Sequence, residues 1–144
     1  MLSPHFTLAE LTVSDTAARK GIDNTPSPAM IENLKKTAAL LEEVRTLLGG
    51  KPIIVTSGYR CLALNRAIGS GDSSQHVQGQ AADFSCPGFG PPLQIAQAIY
   101  AAKPPIKFDQ LIHEFQSWVH ISWAPEPRMM ALTINENGTN YGLA

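Results

Sequence analysis

Cysteine is scarce in this sequence, which contains two, Cys61 and Cys86, among 144 residues. Two cysteines can form at most one disulfide, and a chain of this length buries enough surface to fold without a covalent cross-link. Neither residue belongs to a Cys-x-x-Cys pair, so a thiolate metal site or a dithiol redox centre is not indicated. We therefore expect both cysteines to be free thiols.

Long apolar runs and an excess of one charge are also lacking. The longest apolar stretches, such as Ala38–Leu41 and Pro52–Val55, are far shorter than the roughly 20 residues of a membrane-spanning helix. Eleven basic and twelve acidic residues give a net charge of −1, so no broad positive field exists to attract nucleic acid or anionic lipid. The first residues have no basic segment followed by an apolar one, as a secretory signal would. We expect no membrane insertion, no nucleic-acid partner and synthesis in the cytoplasm.

The composition is otherwise that of a globular protein. Hydrophobic residues make up 44% of the chain and charged residues 16%, without low-complexity runs. The length is near the common size of one domain. These properties predict a single domain over residues 1–144, which we expect to be a monomer.

Hydrophobic spacing and turn residues predict an α+β fold. Thr7 and Glu10 have the spacing of a capping box and predict a short helix over Phe6–Leu11. Apolar residues at intervals of three and four predict a long helix over Pro28–Leu48, ended by glycines. Shorter helices are predicted at 61–68 and 93–102, and strands at 51–57, 79–86, 108–115 and 118–123. The last two strands should form an antiparallel hairpin, whereas the final twenty residues give no prediction.

Three residues have the chemistry of a zinc site. His76 and Asp83 are seven positions apart across a glycine, and both residue types bind zinc well when held rigidly. His120 lies in an apolar strand, where a histidine without a partner is costly to bury. Three protein ligands with an open fourth position are typical of a catalytic zinc site. A lone His and Asp pair would be a weak signal, because such spacing arises easily by chance.

Three sequence blocks together resemble a known peptidase family. The blocks are Ser-Gly-Tyr-Arg at 57–60 followed by Asn65, Ser-x-His-x-x-Gly-x-Ala-x-Asp at 74–83, and Trp-Val-His-Ile-Ser at 118–122. Their order and content resemble the zinc peptidases that include D-Ala-D-Ala carboxypeptidases and dipeptidases, phage L-alanyl-D-glutamate endopeptidases and the related hedgehog signalling domain. The resemblance implies an antiparallel sheet that carries the zinc site on one face and is flanked by helices.

The resemblance also implies roles for individual residues. It places zinc on His76, Asp83 and His120, a catalytic acid or base on Glu114, and stabilisation of transition-state charge on Arg60. Three further side chains are candidates for contact with substrate, namely Ser74, Tyr59 and Trp118. Each has a structural alternative, since a serine can stabilise a turn and aromatic residues in strands are more often part of the core.

The loop of the predicted hairpin decides which residue lies opposite His120. A three-residue loop, Gln116–Trp118, pairs Glu114 with His120 on one face. A two-residue turn, Gln116–Ser117, pairs His113 with His120 instead. The sequence alone leaves both registers open.

Resemblance favours Glu114, which precedes His120 by six positions, as the corresponding acid does in the hedgehog-like branch. Other members have the acid three positions before the histidine, where this chain has Ser117, or a second histidine two positions before it, where this chain has Trp118. His113 therefore stays as an alternative base or as a residue that supports a ligand.

The predicted function is zinc-dependent hydrolysis of peptide bonds in bacterial peptidoglycan, either an L-Ala-D-Glu or a D-Ala-diaminopimelate bond. By analogy, we expect a bacteriophage or prophage endolysin that leaves the cytoplasm to act on the cell wall in the periplasm. One alternative is a carboxypeptidase or dipeptidase that acts on D-Ala-D-Ala ends. Another is a zinc-stabilised binding module without turnover, against which the carboxylate of Glu114 argues.

Overall fold

A computed structural model describes all 144 residues of the chain. The helices are α1 (Asp15–Lys20), α2 (Pro28–Leu47), α3 (Leu62–Ile68), a 3₁₀ helix (Gln75–Gln78) and α4 (Pro92–Tyr100). The strands are β1 (Ile54–Ser57), β2 (Ala81–Ser85), β3 (Gln110–Glu114), β4 (Trp118–Ser122), β5 (Met130–Asn135) and β6 (Gly138–Tyr141). No helix is both long and apolar enough to cross a membrane.

All six strands form one sheet in the order β1-β2-β4-β3-β5-β6. Every neighbouring pair is antiparallel except β3 and β5, which are parallel. The predicted α+β class and the hairpin of β3 and β4 are confirmed. The parallel pair was not predicted, because β5 and β6 lie in the C-terminal segment, which has no periodic hydrophobic pattern.

The sheet has an apolar face and a polar face, since successive side chains of a strand point to opposite sides. On the apolar face Phe84, Val119 and Ile121 are fully buried and pack in one cluster with residues of α2 and α4. On the polar face β2 and β4 present Asp83 and His120, which are cross-strand partners. Helix α2 therefore covers the face opposite the candidate site.

Helix α2 confirms the strongest periodic pattern in the sequence. The Ser27 hydroxyl accepts a hydrogen bond from Met30 N at 3.3 Å and caps the helix. Pro28 lies in the first turn, where its missing N–H costs no hydrogen bond within the helix. The helix buries a stripe of residues three and four apart, Leu34, Ala38, Leu41 and Val44. Full burial of each leucine or valine in this stripe typically contributes about 1.5–3 kcal/mol.

The helix predicted over Phe6–Leu11 is wrong, although its capping box forms. Glu10 Oε1 accepts from Thr7 N at 3.0 Å, and Thr7 Oγ1 accepts from Glu10 N at 3.1 Å. The segment makes turns and no helix, because the Leu11 carbonyl accepts from Tyr59 N at 2.7 Å instead of from a following turn. Helix α1 begins afterwards at Asp15.

Strand β1 is shorter than predicted and lies at an edge of the sheet. It begins at Ile54, whose side chain is half exposed at the sheet edge. Its register with β2 shifts between Val55 and Ser57, which places Ser57 opposite Asp83. This bulge turns the Ser57 side chain toward the polar face.

The residue after β1, Gly58, is required by a close approach of two backbones. A Cβ at this position would overlap the carbonyl oxygen of Leu11, which is main chain and cannot rotate away. The N-terminal segment is therefore packed directly against the end of β1.

We expect Gly58→Ala to lower the free energy of unfolding by about 1–3 kcal/mol, the usual cost of overpacking a tight site. Urea or thermal unfolding followed by circular dichroism measures this change. Gly71→Ala is the matched control, because a Cβ there meets nothing within 4 Å and φ is not positive. Equal midpoints for the two variants would show that Gly58 does not limit the packing.

Candidate metal centre and active site

The centre of the site is a cross-strand pair of a carboxylate and an imidazole. Asp83 on β2 lies directly opposite His120 on β4, and Asp83 Oδ1 is 2.9 Å from His120 Nδ1. Both side chains are more than nine-tenths buried. The antiparallel register of two central strands thus fixes their separation.

The 3₁₀ helix brings His76 to the same point. The Ser74 hydroxyl accepts from His76 N at 3.3 Å and caps this short helix, and Gly79 closes it with a positive φ of 70°. His76 Nδ1 donates to the Gly58 carbonyl at 2.7 Å, because a carbonyl oxygen can only accept. The unprotonated Nε2 then faces Asp83 Oδ1 at 3.3 Å.

The arrangement of these atoms fits a zinc ion. One ligand atom from each of His76, Asp83 and His120 lies within 4.8 Å of the others. Ligands bound to zinc at about 2.0–2.1 Å in tetrahedral geometry stand roughly 3.3 Å apart. The Asp83 Oδ1 distances of 3.3 and 2.9 Å to the two imidazole nitrogens are close to that spacing. The hydrogen bond from His76 Nδ1 to a carbonyl is the kind that orients metal-binding histidines.

Protonation states in the cluster match those of metal ligands. Burial lowers the pKa of His76 below its ordinary value and favours the neutral imidazole. Burial alone would raise the pKa of Asp83, but the adjacent imidazoles and their hydrogen bonds more than offset this and hold the pKa well below its usual range. A neutral histidine and an ionised aspartate are the forms that bind a metal ion.

Arg60 holds the other oxygen of the aspartate. Its Nη2 lies 3.4 Å from Asp83 Oδ2, and its Nε donates to Ser57 Oγ at 3.0 Å. Nη1 lies 3.4 Å from both Asn65 Oδ1 and Ser70 Oγ. The planar guanidinium is thus oriented on several sides, and its charge balances the buried carboxylate.

Glu114 lies on the same face of the sheet as His120, but neither predicted register is correct. Ile112 pairs with His120, and Glu114 pairs with Trp118 across a three-residue loop, 115–117. The loop begins one residue earlier than predicted. Glu114 Oε1 is consequently a diagonal neighbour of the histidine, 3.9 Å from His120 Nδ1.

The loop position follows from an unusual backbone conformation. Phe115 and Gln116 have positive φ angles of 51° and 56°, and Ser117 N donates to the Glu114 carbonyl at 3.0 Å. Hairpin turns of this kind favour glycine or asparagine, and this chain has neither there.

Burial raises the pKa of Glu114 above its ordinary value. The negative charge of Asp83 adds to this rise, while His120 and Arg60 oppose it. A carboxyl group with a raised pKa both accepts and donates protons more readily near neutral pH. Such a shift is typical of catalytic acids and bases.

His113, the alternative base, points away from the site. It follows Ile112 on β3, so its side chain lies on the opposite face of the sheet, where it is buried. Its Nδ1 lies 2.9 Å from the main-chain oxygen of Ala144. The structure therefore brings Glu114, and not His113, near the metal cluster.

A cavity of about 440 Å³ adjoins the metal cluster. Arg60, Asp83 and Trp118 line it, and residues 13–16 form part of its wall. Sequence reasoning missed this wall, although a Ser-Asp pair at 14–15 is a common signal for a helix start. Tyr59 is 9% exposed, packs in the apolar core and is not among the lining residues.

Both cysteines are free thiols, as predicted. Cys61 Sγ accepts from Leu64 N at 3.4 Å and caps α3, while Cys86 is fully buried in the core. Neither contributes to the metal cluster.

Comparison with known proteins confirms the resemblance seen in the motifs. The Peptidase M15 family matches residues 4–122, which include all three sequence blocks. The chain is also 31% identical over 80 residues to the zinc D-Ala-D-Ala carboxypeptidase of Streptomyces albus G, covering 56% of this chain. The match spans about a third, 31%, of that relative's length. With its buried His-Asp-His cluster, this chain belongs to the peptidase M15 family of zinc metallopeptidases.

Proposed function

We propose that this protein hydrolyses peptide bonds within the peptides of bacterial peptidoglycan, using a zinc ion held by His76, Asp83 and His120. The observation that carries the proposal is the buried His-Asp-His cluster with Glu114 beside it and a cavity alongside. Family membership supports the peptidase chemistry.

The chain supplies the groups that peptide hydrolysis needs. A zinc ion, when bound, supplies Lewis-acid chemistry to the scissile carbonyl and lowers the pKa of water. Glu114 takes the proton of the attacking water and passes it to the leaving amine, a role that fits its raised pKa. Arg60, which lines the cavity, stabilises negative charge that develops on the carbonyl oxygen.

The charges of the cavity favour cleavage within a peptide over removal of its last residue. A carboxypeptidase must bind the terminal carboxylate of its substrate, which calls for a free cation. Arg60 is the one cationic residue on the lining, and its role at the carbonyl oxygen leaves no second cation for a terminal carboxylate. Asp15 adds negative charge on the N-terminal wall, where a substrate carboxylate would be repelled. We therefore propose an endopeptidase that cuts an L-Ala-D-Glu or D-Ala-diaminopimelate bond.

A D-Ala-D-Ala carboxypeptidase is the second candidate. The similarity to the Streptomyces albus G enzyme favours it. The wall peptides are the shared substrate class, so the two candidates differ in the bond that is cut. The identity of the released products distinguishes them.

The proposed setting is that of an endolysin from a bacteriophage or prophage, which acts on the wall in the periplasm after leaving the cytoplasm. This part of the proposal depends on the resemblance of the sequence blocks to phage L-alanyl-D-glutamate endopeptidases. An endolysin must cut inside cross-linked peptides, and a cavity without a second cation for a terminal carboxylate suits such a cut.

The zinc-loaded protein should clear suspensions of purified Gram-negative wall sacs, and a zinc chelator should abolish the clearing. Loss of turbidity measures the lysis, and mass spectrometry of the released peptides identifies the new ends. Release of free D-Ala without clearing would favour the carboxypeptidase. No product from protein shown to hold zinc would refute the hydrolase proposal.

Glu114→Gln should retain zinc and lose wall hydrolysis by roughly 10²–10⁴-fold, the usual contribution of a general acid or base. The same assay measures this loss. Glu126→Gln is the matched control, because Glu126 is exposed and does not line the cavity. His113→Gln tests the other candidate base and should retain activity in the folded protein. Full activity of Glu114→Gln would remove Glu114 from the mechanism.

His120→Ala should lose its zinc, because one of three protein ligands is removed. Metal analysis after gel filtration should give about one zinc ion per chain for the native protein and far less for the variant. His5→Ala is the control, since the His5 imidazole is half exposed and pairs with Glu42. An unchanged zinc content in His120→Ala would exclude His120 as a ligand.

A further inference from the structure

The carboxylate proposed as the base is not held by any hydrogen bond within the protein. The nearest ionisable group, His120 Nδ1, is 3.9 Å away, which is beyond hydrogen-bond distance. A glutamate side chain has several rotatable bonds, so a base without an anchor spends part of its time in unproductive positions. Efficient proton transfer requires a fixed carboxylate oxygen.

Trp118 has a hydrogen-bond donor that lacks an acceptor. Its indole Nε1 is completely buried and has no hydrogen-bond partner. The other tryptophan, Trp123, donates from its Nε1 to Thr37 Oγ1 at 2.8 Å. An unpaired buried donor costs about 1–3 kcal/mol, and such a group requires an explanation.

The register of the hairpin brings the unpaired donor and the unanchored acceptor together. Trp118 and Glu114 are cross-strand partners on β4 and β3, and so lie on the same face of the sheet. Burial raises the pKa of Glu114, and the indole N–H of Trp118 is one of the groups that oppose this rise. Side chains of directly opposed residues have Cβ atoms about 4.5–5.5 Å apart, so the indole N–H and the carboxylate are within reach of each other, although their hydrogen bond is not closed.

The surroundings of the indole ring show which member of this pair can move. It contacts the Phe115 ring, with 5.8 Å between the ring centroids. Part of the ring lines the cavity, but Nε1 is inaccessible and cannot meet a ligand there without movement of the ring. The Glu114 carboxylate is therefore the acceptor that can move to meet it.

We propose that Trp118 is a positioning residue, whose indole N–H donates a hydrogen bond to the Glu114 carboxylate in the zinc-loaded protein and fixes the oxygen that receives the proton. The inference rests on the proposed function, because it assigns Trp118 the orientation of the proposed base. Trp118 then has two separate roles: its ring borders the cavity, and its N–H acts through Glu114.

The kinetic test is Trp118→Phe, which removes the N–H and keeps an aromatic ring. A hydrogen bond to a charged group contributes about 1.5–3 kcal/mol, so we expect kcat to fall roughly 10–100-fold. KM for a soluble wall peptide and zinc content should stay within about twofold of native, because neither ring contact nor ligands are removed. A raised KM with native kcat would overturn the proposal.

A double-mutant cycle shows whether Trp118 acts through Glu114. In Glu114→Ala protein, the further change Trp118→Phe should have little effect on the residual rate, because the acceptor is already gone. Fully additive losses would mean that Trp118 acts on the substrate directly and would overturn the proposal. Trp123→Phe is the matched control and should lower stability without separating kcat from KM.

A spectroscopic test does not depend on hydrolysis. The chain has two tryptophans, so ¹⁵N labelling gives two indole N–H signals, and Trp118→Phe identifies one of them. In zinc-loaded protein the Trp118 proton should resonate downfield and exchange slowly with water, and Glu114→Ala should abolish both properties. A Trp118 signal that is unaffected by Glu114→Ala would refute the positioning role even if wall hydrolysis is confirmed. A coupled signal in a protein without hydrolysis would support the contact and reject the proposed function.

Discussion

A buried aspartate organises this structure. Asp83 is 6% exposed, and an ionised carboxylate at such a depth is tolerated when both of its oxygens are paired. Oδ1 faces His76 and His120, while Oδ2 faces Arg60. The three partners come from the 3₁₀ helix, from β4 and from the connection that follows β1. Removing any one partner would leave an oxygen of Asp83 without its charge or hydrogen-bond partner. The need to pair this one carboxylate therefore holds three separate elements together.

The constraint extends to the N-terminal segment through Gly58. Its carbonyl accepts the Nδ1 proton of His76, and its α-carbon lies against the Leu11 backbone with no room for a side chain. Leu11 in turn accepts from Tyr59 N. Residues before α1 take no part in the main sheet, yet they set the position of the loop that orients a zinc ligand. Residues 13–16 then continue into the wall of the cavity.

The sequence predicted those parts of the fold that depend on local patterns. The apolar stripe of α2 and the β-branched or apolar runs of β2, β3 and β4 are visible without tertiary information. The three proposed ligands, with Glu114 and Arg60, were also named from motifs, and the structure brings all five together. Strand β5 was missed because its burial does not alternate along the strand, which leaves no periodic pattern in the sequence.

Register was the feature that sequence reasoning could not obtain. The hairpin loop depends on Phe115 and Gln116, which adopt positive φ without the glycine or asparagine that would reveal such a turn. A shift of the loop by one residue changed the partner of His120 to Ile112. Glu114 was nevertheless predicted on the correct face of the sheet. Moving a three-residue loop by one position shifts the pairing of the two strands by two residues, so Glu114 faces Trp118 instead of His120 and stays on the same face.

Glu114 stays on the face of the metal cluster in either three-residue loop. A register change of two residues keeps each side chain on its own face, whereas a change of one exchanges the faces. The loop of three residues thus places Glu114 on the side of the metal cluster and His113 on the side of the core. Loop length determines which of the two candidate bases faces the cluster. The residue that pairs with His120 determines the distance between Glu114 and His120. Glu114 lies beside the cluster, 3.9 Å from His120 Nδ1, while Ile112 takes the position directly opposite His120.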